Sequence, residues 1–272
     1  MNDLPFNTYI EAEEFFGMRI PYHFFITLQN IQVFSKENGL NTMNTLDDLF
    51  GIAYFEGEDA RYLQTPIELF PFGKMGVNGI HYGFVIHISN ENDYPSGEIC
   101  PMDSDGVILI GHNTQALFQN LLNSRKIDNY PTLIKKLNLD PIIANKARYD
   151  EYGNGLKINV NPRLGWRHIK TTDGIGVFAE EKFYAKNHEH KFFTNNLEAE
   201  HFEALADDMR KKGFYASQLF YLKELFWHEW TNYDLAGKFL KEMLIPYEKL
   251  NREHLYMTAK NKIDYVAQLH DI

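Results

Sequence analysis

The sequence predicts an α+β protein: a mainly antiparallel sheet flanked by helices, followed by a helical C-terminal region. Three observations carry this. Residues 20–38 repeat apolar side chains at three- and four-residue spacing. Residues 54–111 break into short apolar runs bounded by Gly, Pro, Asn and Asp. From residue 197 onward the helical spacing returns and lasts to the end. At 44% hydrophobic and 15% aromatic over 272 residues, the chain has ample material for packed cores.

Taken in order, residues 20–38 place Phe24, Phe25, Leu28, Ile31 and Phe34 on one helical face, with Pro21 in the first turn and Gly39 just past the end. Short strands are expected at 54–56, 82–88, 97–101 and 107–111. Asp103, Ser104, Asp105 and Gly106 lie between the last two, where an Asp-Gly pair supplies the positive φ of a hairpin turn. Asn113 or Thr114 then caps a helix carrying Leu117, Phe118, Leu121 and Leu122.

Residues 124–155 read as a connector with short helical patterns (Leu133, Ile134, Leu137; Ile142, Ile143, Ala147). Residues 156–180 hold strand-like pieces KINV, GWRHI and GIGVFAE. In the helical region, breaks at Lys212-Gly213, Thr231-Asn232 and Leu250-Asn251 leave inward faces of Phe202, Leu205 and Met209, then Leu219, Leu222, Phe226 and Trp230, then Phe239, Leu240, Met243 and Tyr247. The organisation expected is therefore an α+β domain over 1–125, a connector with additional strands over 126–196, and helical hairpins over 197–272.

Charge narrows the function. Residues 1–130 hold 17 Asp and Glu against 6 Lys and Arg, so they carry −11, whereas residues 131–272 carry +1 and the whole chain −10. A one-signed surface of this kind repels nucleic acid and steers basic partners. No apolar run reaches the roughly 20 residues that cross a bilayer, and the acidic N-terminus lacks a signal layout, so a cytoplasmic protein is expected. The single cysteine, Cys100, excludes an internal disulfide and a Cys-rich zinc scaffold. Its neighbour Ile99 points to a buried, unreactive thiol within a strand.

Two stretches then carry a family resemblance. IPYHFFITLQNIQVFSKENGL (residues 20–40) resembles the opening helix and Asn-Gly stop of the SUKH superfamily, the Smi/Knr-like proteins. TPIELFPFGKMGVNGIHYGFVIHI (residues 65–88) is similar to their core of proline, apolar run, PFG, glycine-rich turn and strand. Residues 101–107 are similar to the hairpin before the last strand, and a helix follows at 114–122. The resemblance covers about the first 125 residues. It implies an α+β domain and, from the many bacterial members that resemble immunity proteins, a binding protein that neutralises a toxin or other effector.

Together, charge and resemblance make the acidic loops the candidate partner-binding surface for a basic protein: Glu91, Asp93, Glu98, Asp103 and Asp105, with Glu56, Glu58 and Asp59 beside them. No Lys or Arg interrupts residues 91–105.

Motifs for chemistry are incomplete. Gly73, Gly76 and Gly79 have neither dinucleotide nor P-loop spacing and read as hairpin glycines, so no cofactor is expected. Asp103 to Gly106 lacks the glutamate at the twelfth position of a calcium loop, where Thr114 stands. His188 with His190, and Glu224 with His228 at i, i+4, each lack a third zinc ligand; they read as solvated loop residues and a hydrogen-bonded helix pair. Arg163, Arg167, His168 and Lys170 surround Trp166 as a small basic cluster, read as an internal contact to the acidic first domain. The aromatic run Phe214, Tyr215, Phe220, Tyr221, Phe226, Trp227 and Trp230 covers more than one helix face; core packing between helices accounts for most of it, and the remainder is open to a partner groove. The alternative to a binding protein is an enzyme with a site between the two halves, using His81, His112, Cys100 or nearby acids.

Overall fold

The computed structural model describes residues 3–57, 61–76, 79–89, 91–101, 106–125, 130–139, 163–194 and 199–270. The protein is α+β, with a five-stranded antiparallel sheet, a separate two-stranded sheet and a helical C-terminal region. It forms two compact units. Unit 1 comprises residues 1–61, 69–86 and 90–158; unit 2 comprises 62–68, 87–89 and 159–272. The strands after residue 163 thus share a unit with the C-terminal helices, and two short stretches from the first 125 residues do so as well.

In unit 1 the first element is α1 (Tyr9–Phe16). Thr8 caps it by accepting from the Glu11 N–H at 3.2 Å while the Glu11 carboxylate accepts from the Thr8 N–H at 3.3 Å, a reciprocal capping box. Gly17, at φ 65°, ends the helix in the left-handed conformation that glycine adopts without penalty. Then come α2 (Tyr22–Glu37) and α3 (Thr42–Phe50). Strands β1 (Tyr54–Phe55), β2 (Leu69–Lys74), β3 (His81–Val85), β4 (Ser96–Ile99) and β5 (Ile108–Gly111) pair in sequence order, a meander with every neighbour antiparallel. β2 contains Pro71 and Gly73, residues that ordinarily weaken a strand; the register shifts between them, so a bulge absorbs both.

Helix α4 (Thr114–Ser124), capped by Asn113, and α5 (Tyr130–Lys136) complete the described part of unit 1. Its core centres on Phe24 of α2, whose ring lies 4.9 Å from Phe72 of β2, 5.0 Å from Phe84 of β3 and 5.7 Å from Phe118 of α4. Aromatic pairs at these separations add to the energy of burial. Gly106 has φ 76°, while residues 103–105 of the expected hairpin turn lie outside the described residues.

Besides residues 62–68 and 87–89, unit 2 contains the hairpin β6 (Trp166–Ile169) and β7 (Val177–Glu180), followed by a 3-10 turn at Glu181–Phe183. The helices α6 (Ala199–Lys211), α7 (Tyr215–Glu229), α8 (Tyr233–Lys249) and α9 (Glu253–His270) break where the sequence places breaks. Residues 216–227 of α7 are all buried, the polar Ser217, Gln218, Lys223 and Glu224 among them, so the helix is enclosed around its whole circumference. Phe220, Tyr221, Phe226 and Trp227 are therefore interior, not part of an open groove. The KINV stretch and Ile142, Ile143 and Ala147 lie outside the described residues. Among the described residues no helix is long and apolar enough to cross a membrane.

Candidate functional site

Four of the eight candidate acids, Glu58, Asp59, Asp103 and Asp105, lie outside the described residues. The other four differ in their surroundings. Glu56, next after β1, is buried and ion-paired with Lys74 of β2; burial raises its carboxyl pKa and the lysine opposes the rise. Asp93 anchors the start of α4, accepting from the Thr114 N–H at 3.2 Å, the Thr114 hydroxyl at 2.8 Å and the Tyr94 N–H at 2.9 Å. Its pKa is raised by burial against those donors.

Glu98 sits in β4 opposite Tyr82 and Ile108, half-buried, with its pKa raised by burial. Burial, and next the Glu98 charge, push the Tyr82 hydroxyl up. Glu91 is half-buried. The exposed acids among the described residues of unit 1 are instead Asp3, Glu11 and Glu14 near the first helix, Glu37 on α2, and Asp47 and Asp48 on α3. Sequence composition reveals acids but not which of them a fold uses to tie its own backbone.

The enzyme candidates of unit 1 lie in or beside its sheet. His81 in β3 is fully buried, with Nδ1 3.2 Å from the Gly79 carbonyl, and pairs across the sheet with Ile99. Cys100 lies one residue past the end of β4 and is half-buried, a correction to the expected buried strand thiol. The strand ends at Ile99, so the thiol sits at the sheet's margin. His112 is half-buried at the turn before α4, and its Nδ1 has no hydrogen-bond partner.

Unit 2 holds a buried ionic centre that the sequence reading did not find. Lys223 Nζ of α7 lies 2.6 Å from Glu68 Oε2 and 3.1 Å from Asp173 Oδ2. The Tyr247 hydroxyl of α8 donates to Glu68 Oε1 at 3.0 Å. The Thr171 hydroxyl and the Ile175 N–H donate to Asp173 Oδ1 at 2.5 Å and 3.0 Å. Burial alone would push the Lys223 pKa down; the two carboxylates outweigh it and the pKa is raised.

Beside it, Glu224 accepts from the Thr172 N–H at 2.6 Å, the Thr172 hydroxyl at 2.7 Å and the Phe193 N–H at 2.9 Å. The expected Glu224–His228 helix pair is thereby replaced: those three donors occupy Glu224, and the His228 ring lies tilted against that of Phe193, their centres 4.6 Å apart. Burial raises the Glu224 pKa against these donors.

His188 and His190 are likewise held and not merely solvated. His188 Nε2 hydrogen-bonds the Tyr221 hydroxyl, and His190 Nε2 lies 2.8 Å from Ser217 Oγ, which accepts from the Ala185 N–H at 2.9 Å. Burial, then the charges of His188 and Arg167, lower His190 to about 4, and burial pushes the Tyr221 hydroxyl up to about 12. His87 is buried 5.9 Å from the His168 ring, its Nε2 lacks a hydrogen-bond partner, and burial holds its pKa well below the usual histidine range. Among the described residues no group of three or more His, Cys, Asp or Glu is placed to hold a metal ion.

The basic cluster is local to β6. The Arg163 guanidinium lies 5.4 Å and that of Arg252 5.2 Å from the Trp166 ring centre, Arg167 lies 5.5 Å from that of Tyr184, and His168 Nε2 donates to the Ile175 carbonyl at 2.8 Å. Comparison with known proteins finds no family model that matches this chain and no curated protein that matches it.

Proposed function

We propose that this chain is a non-enzymatic binding protein of the kind that the SUKH resemblance implies, acting in the cytoplasm and capturing a basic protein partner on the acidic surface of unit 1. The observation that carries the reading is the charge asymmetry: 17 acids against 6 basic residues over 1–130, with Glu14, Glu37, Asp47 and Asp48 exposed on helices of that unit. An excess of one sign concentrates field at the surface and accelerates encounter with a partner of the other sign. Glu91, Glu98 and the loop acids at 58–59 and 103–105 extend this acidic set in the sequence. Asp93 and Glu56 contribute charge while serving the fold. An immunity-type role, neutralising a basic toxin or effector, is the specific form proposed.

The test is capture from extract of the native host by the intact protein and by a variant with Glu37, Asp47, Asp48 and Glu91 changed to their amides. A basic protein retained by the wild type, lost from the variant and associating more slowly as salt rises supports the reading. Equal retention by both proteins at low and high salt removes this surface as the recognition site.

A further inference from the structure

The β6–β7 hairpin presents an open strand edge. The Glu181 N–H donates to the Gly165 carbonyl at 2.8 Å, which makes Gly165–Glu181 a hydrogen-bonded pair; with Arg167 opposite Ala179 and Ile169 opposite Val177, those residues also face β7. Trp166 and His168 therefore direct their backbone groups away from the hairpin, as do Phe178 and Glu180 on the other side. The outer edge of β7 is covered at one of these positions, where Arg252 Nη2 donates to the Phe178 carbonyl at 3.1 Å. On β6 the Trp166 N–H is bonded to the Arg163 carbonyl at 2.9 Å. Among the described residues, the Trp166 carbonyl and both backbone groups of His168 have no hydrogen-bond partner.

The side chains along this edge have one sign. From residue 163 to 172 the sequence contains Arg163, Arg167 and Lys170 and no Asp or Glu, in a chain of net charge −10. Arg163, Arg167 and Lys170 are exposed. The nearest acid across the hairpin, Glu180, is paired with Lys182 at 2.6 Å. Basic residues on a short edge strand are also a common protection against aggregation. Here, however, the edge carries apolar surface beside the charges: Leu164 is 103% exposed and Trp166 is only partly covered. A purely protective edge has no use for an exposed leucine next to a tryptophan.

We propose that the outer edge of β6 takes an extended acidic segment of a partner protein by strand addition. The His168 N–H and carbonyl and the Trp166 carbonyl supply main-chain bonds to the added strand. Because cross-strand neighbours share a face, carboxylates fall on the Arg167 face and apolar side chains on the Trp166 face, so the segment it fits alternates acidic and apolar residues. This surface is separate from the acidic one proposed above and opposite to it in sign.

The experiment uses the intact protein and a fluorescein-labelled peptide of about eight alternating Glu and Val residues, read by fluorescence anisotropy at low salt. Saturable binding is expected. It should weaken about tenfold when the peptide is N-methylated on one alternate set of amides but not on the other, since only one set faces the edge. Arg167→Glu should weaken it comparably and Lys170→Glu severalfold, with unchanged thermal midpoints; Lys170 is exposed and lies beyond the end of β6, so it guards against a folding artefact.

Absence of binding overturns the proposal. Indifference to both methylated peptides does too, because charge alone would then explain the affinity. Tighter binding of a labelled oligothymidylate would assign the patch to nucleic acid instead. Self-association of the unliganded wild type that Arg167→Glu abolishes would make a second copy of this chain the occupant.

Discussion

Lys223 and Glu68, 155 residues apart in sequence, meet at 2.6 Å with side chains only 3% and 2% exposed. Asp173 completes the centre, so one buried ammonium is shared by two carboxylates. Removing one partner of such a set leaves uncompensated charge in a low dielectric, which costs about 3–5 kcal/mol. Lys223→Met should therefore lower stability by that order in urea unfolding, and Lys223→Met with Glu68→Gln should recover part of the loss. A single-variant cost below about 1 kcal/mol would show that water reaches the site.

Gly176 is required on two grounds. Its φ is 85°, and a Cβ there would overlap His168 Nε2 and lie 2.5 Å from the Ile169 carbonyl. Gly165 has a similar φ of 78° but open space around it. Gly165→Ala should cost about 1 kcal/mol from backbone conformation alone. Gly176→Ala should cost clearly more, and thermal unfolding of the two variants side by side tests the difference. Equal shifts would mean that His168 moves aside freely.

Asp93 holds the β-sheet end of the chain to the start of α4 through Thr114 and Tyr94. Asp93→Ala leaves these donors without their acceptor, at a cost of about 1–3 kcal/mol. Glu37→Gln, at an exposed position on α2, should leave the denaturation midpoint nearly unchanged. If Asp93→Ala is equally silent, Asp93 is not structural and returns to the set of partner-binding acids.

His190 supplies a pH signature. Its folded pKa is about 4, against about 6.5 in the unfolded chain. As pH falls the unfolded state takes the proton first, so the stability that His190 contributes is complete above pH of about 6.5 and is lost as pH falls toward 4. Carboxylates with raised pKa values, such as Glu224 and Glu98, act in the opposite sense but are common to wild type and variant. Relative to His190→Gln, the wild type should therefore lose stability between pH 7 and 4.5, measured as the difference in urea midpoint. A pH-independent difference would show that the imidazole titrates normally.

Several structural features were legible in the residues themselves. The helix breaks at Gly213, Asn232 and near Asn251 are local chemistry: Gly213 has φ 77°, Asn232 caps α8 and Asn251 has φ 55°. Helix α1 carried an equally local signal in Thr8, Glu11 and Gly17, and α3 in Asn41 and Gly51, although apolar periodicity over such short segments did not bring them out. Strand β2 was hidden because Pro71 and Gly73 argue against a strand until a bulge accommodates them.

What the sequence by itself determined is the α+β class, the antiparallel meander, the helical C-terminal region and the acidity of residues 1–130, because each rests on neighbouring residues or on simple charge. Only the tertiary structure decided which charges are available. Asp93 and Glu56 turned inward to satisfy backbone donors and a lysine, His188 and His190 found hydroxyls on α7, and Lys223 met two carboxylates from distant segments. Burial and pairing depend on what packs against a residue, and for Lys223 that partner lies 155 positions away, beyond the reach of any local pattern.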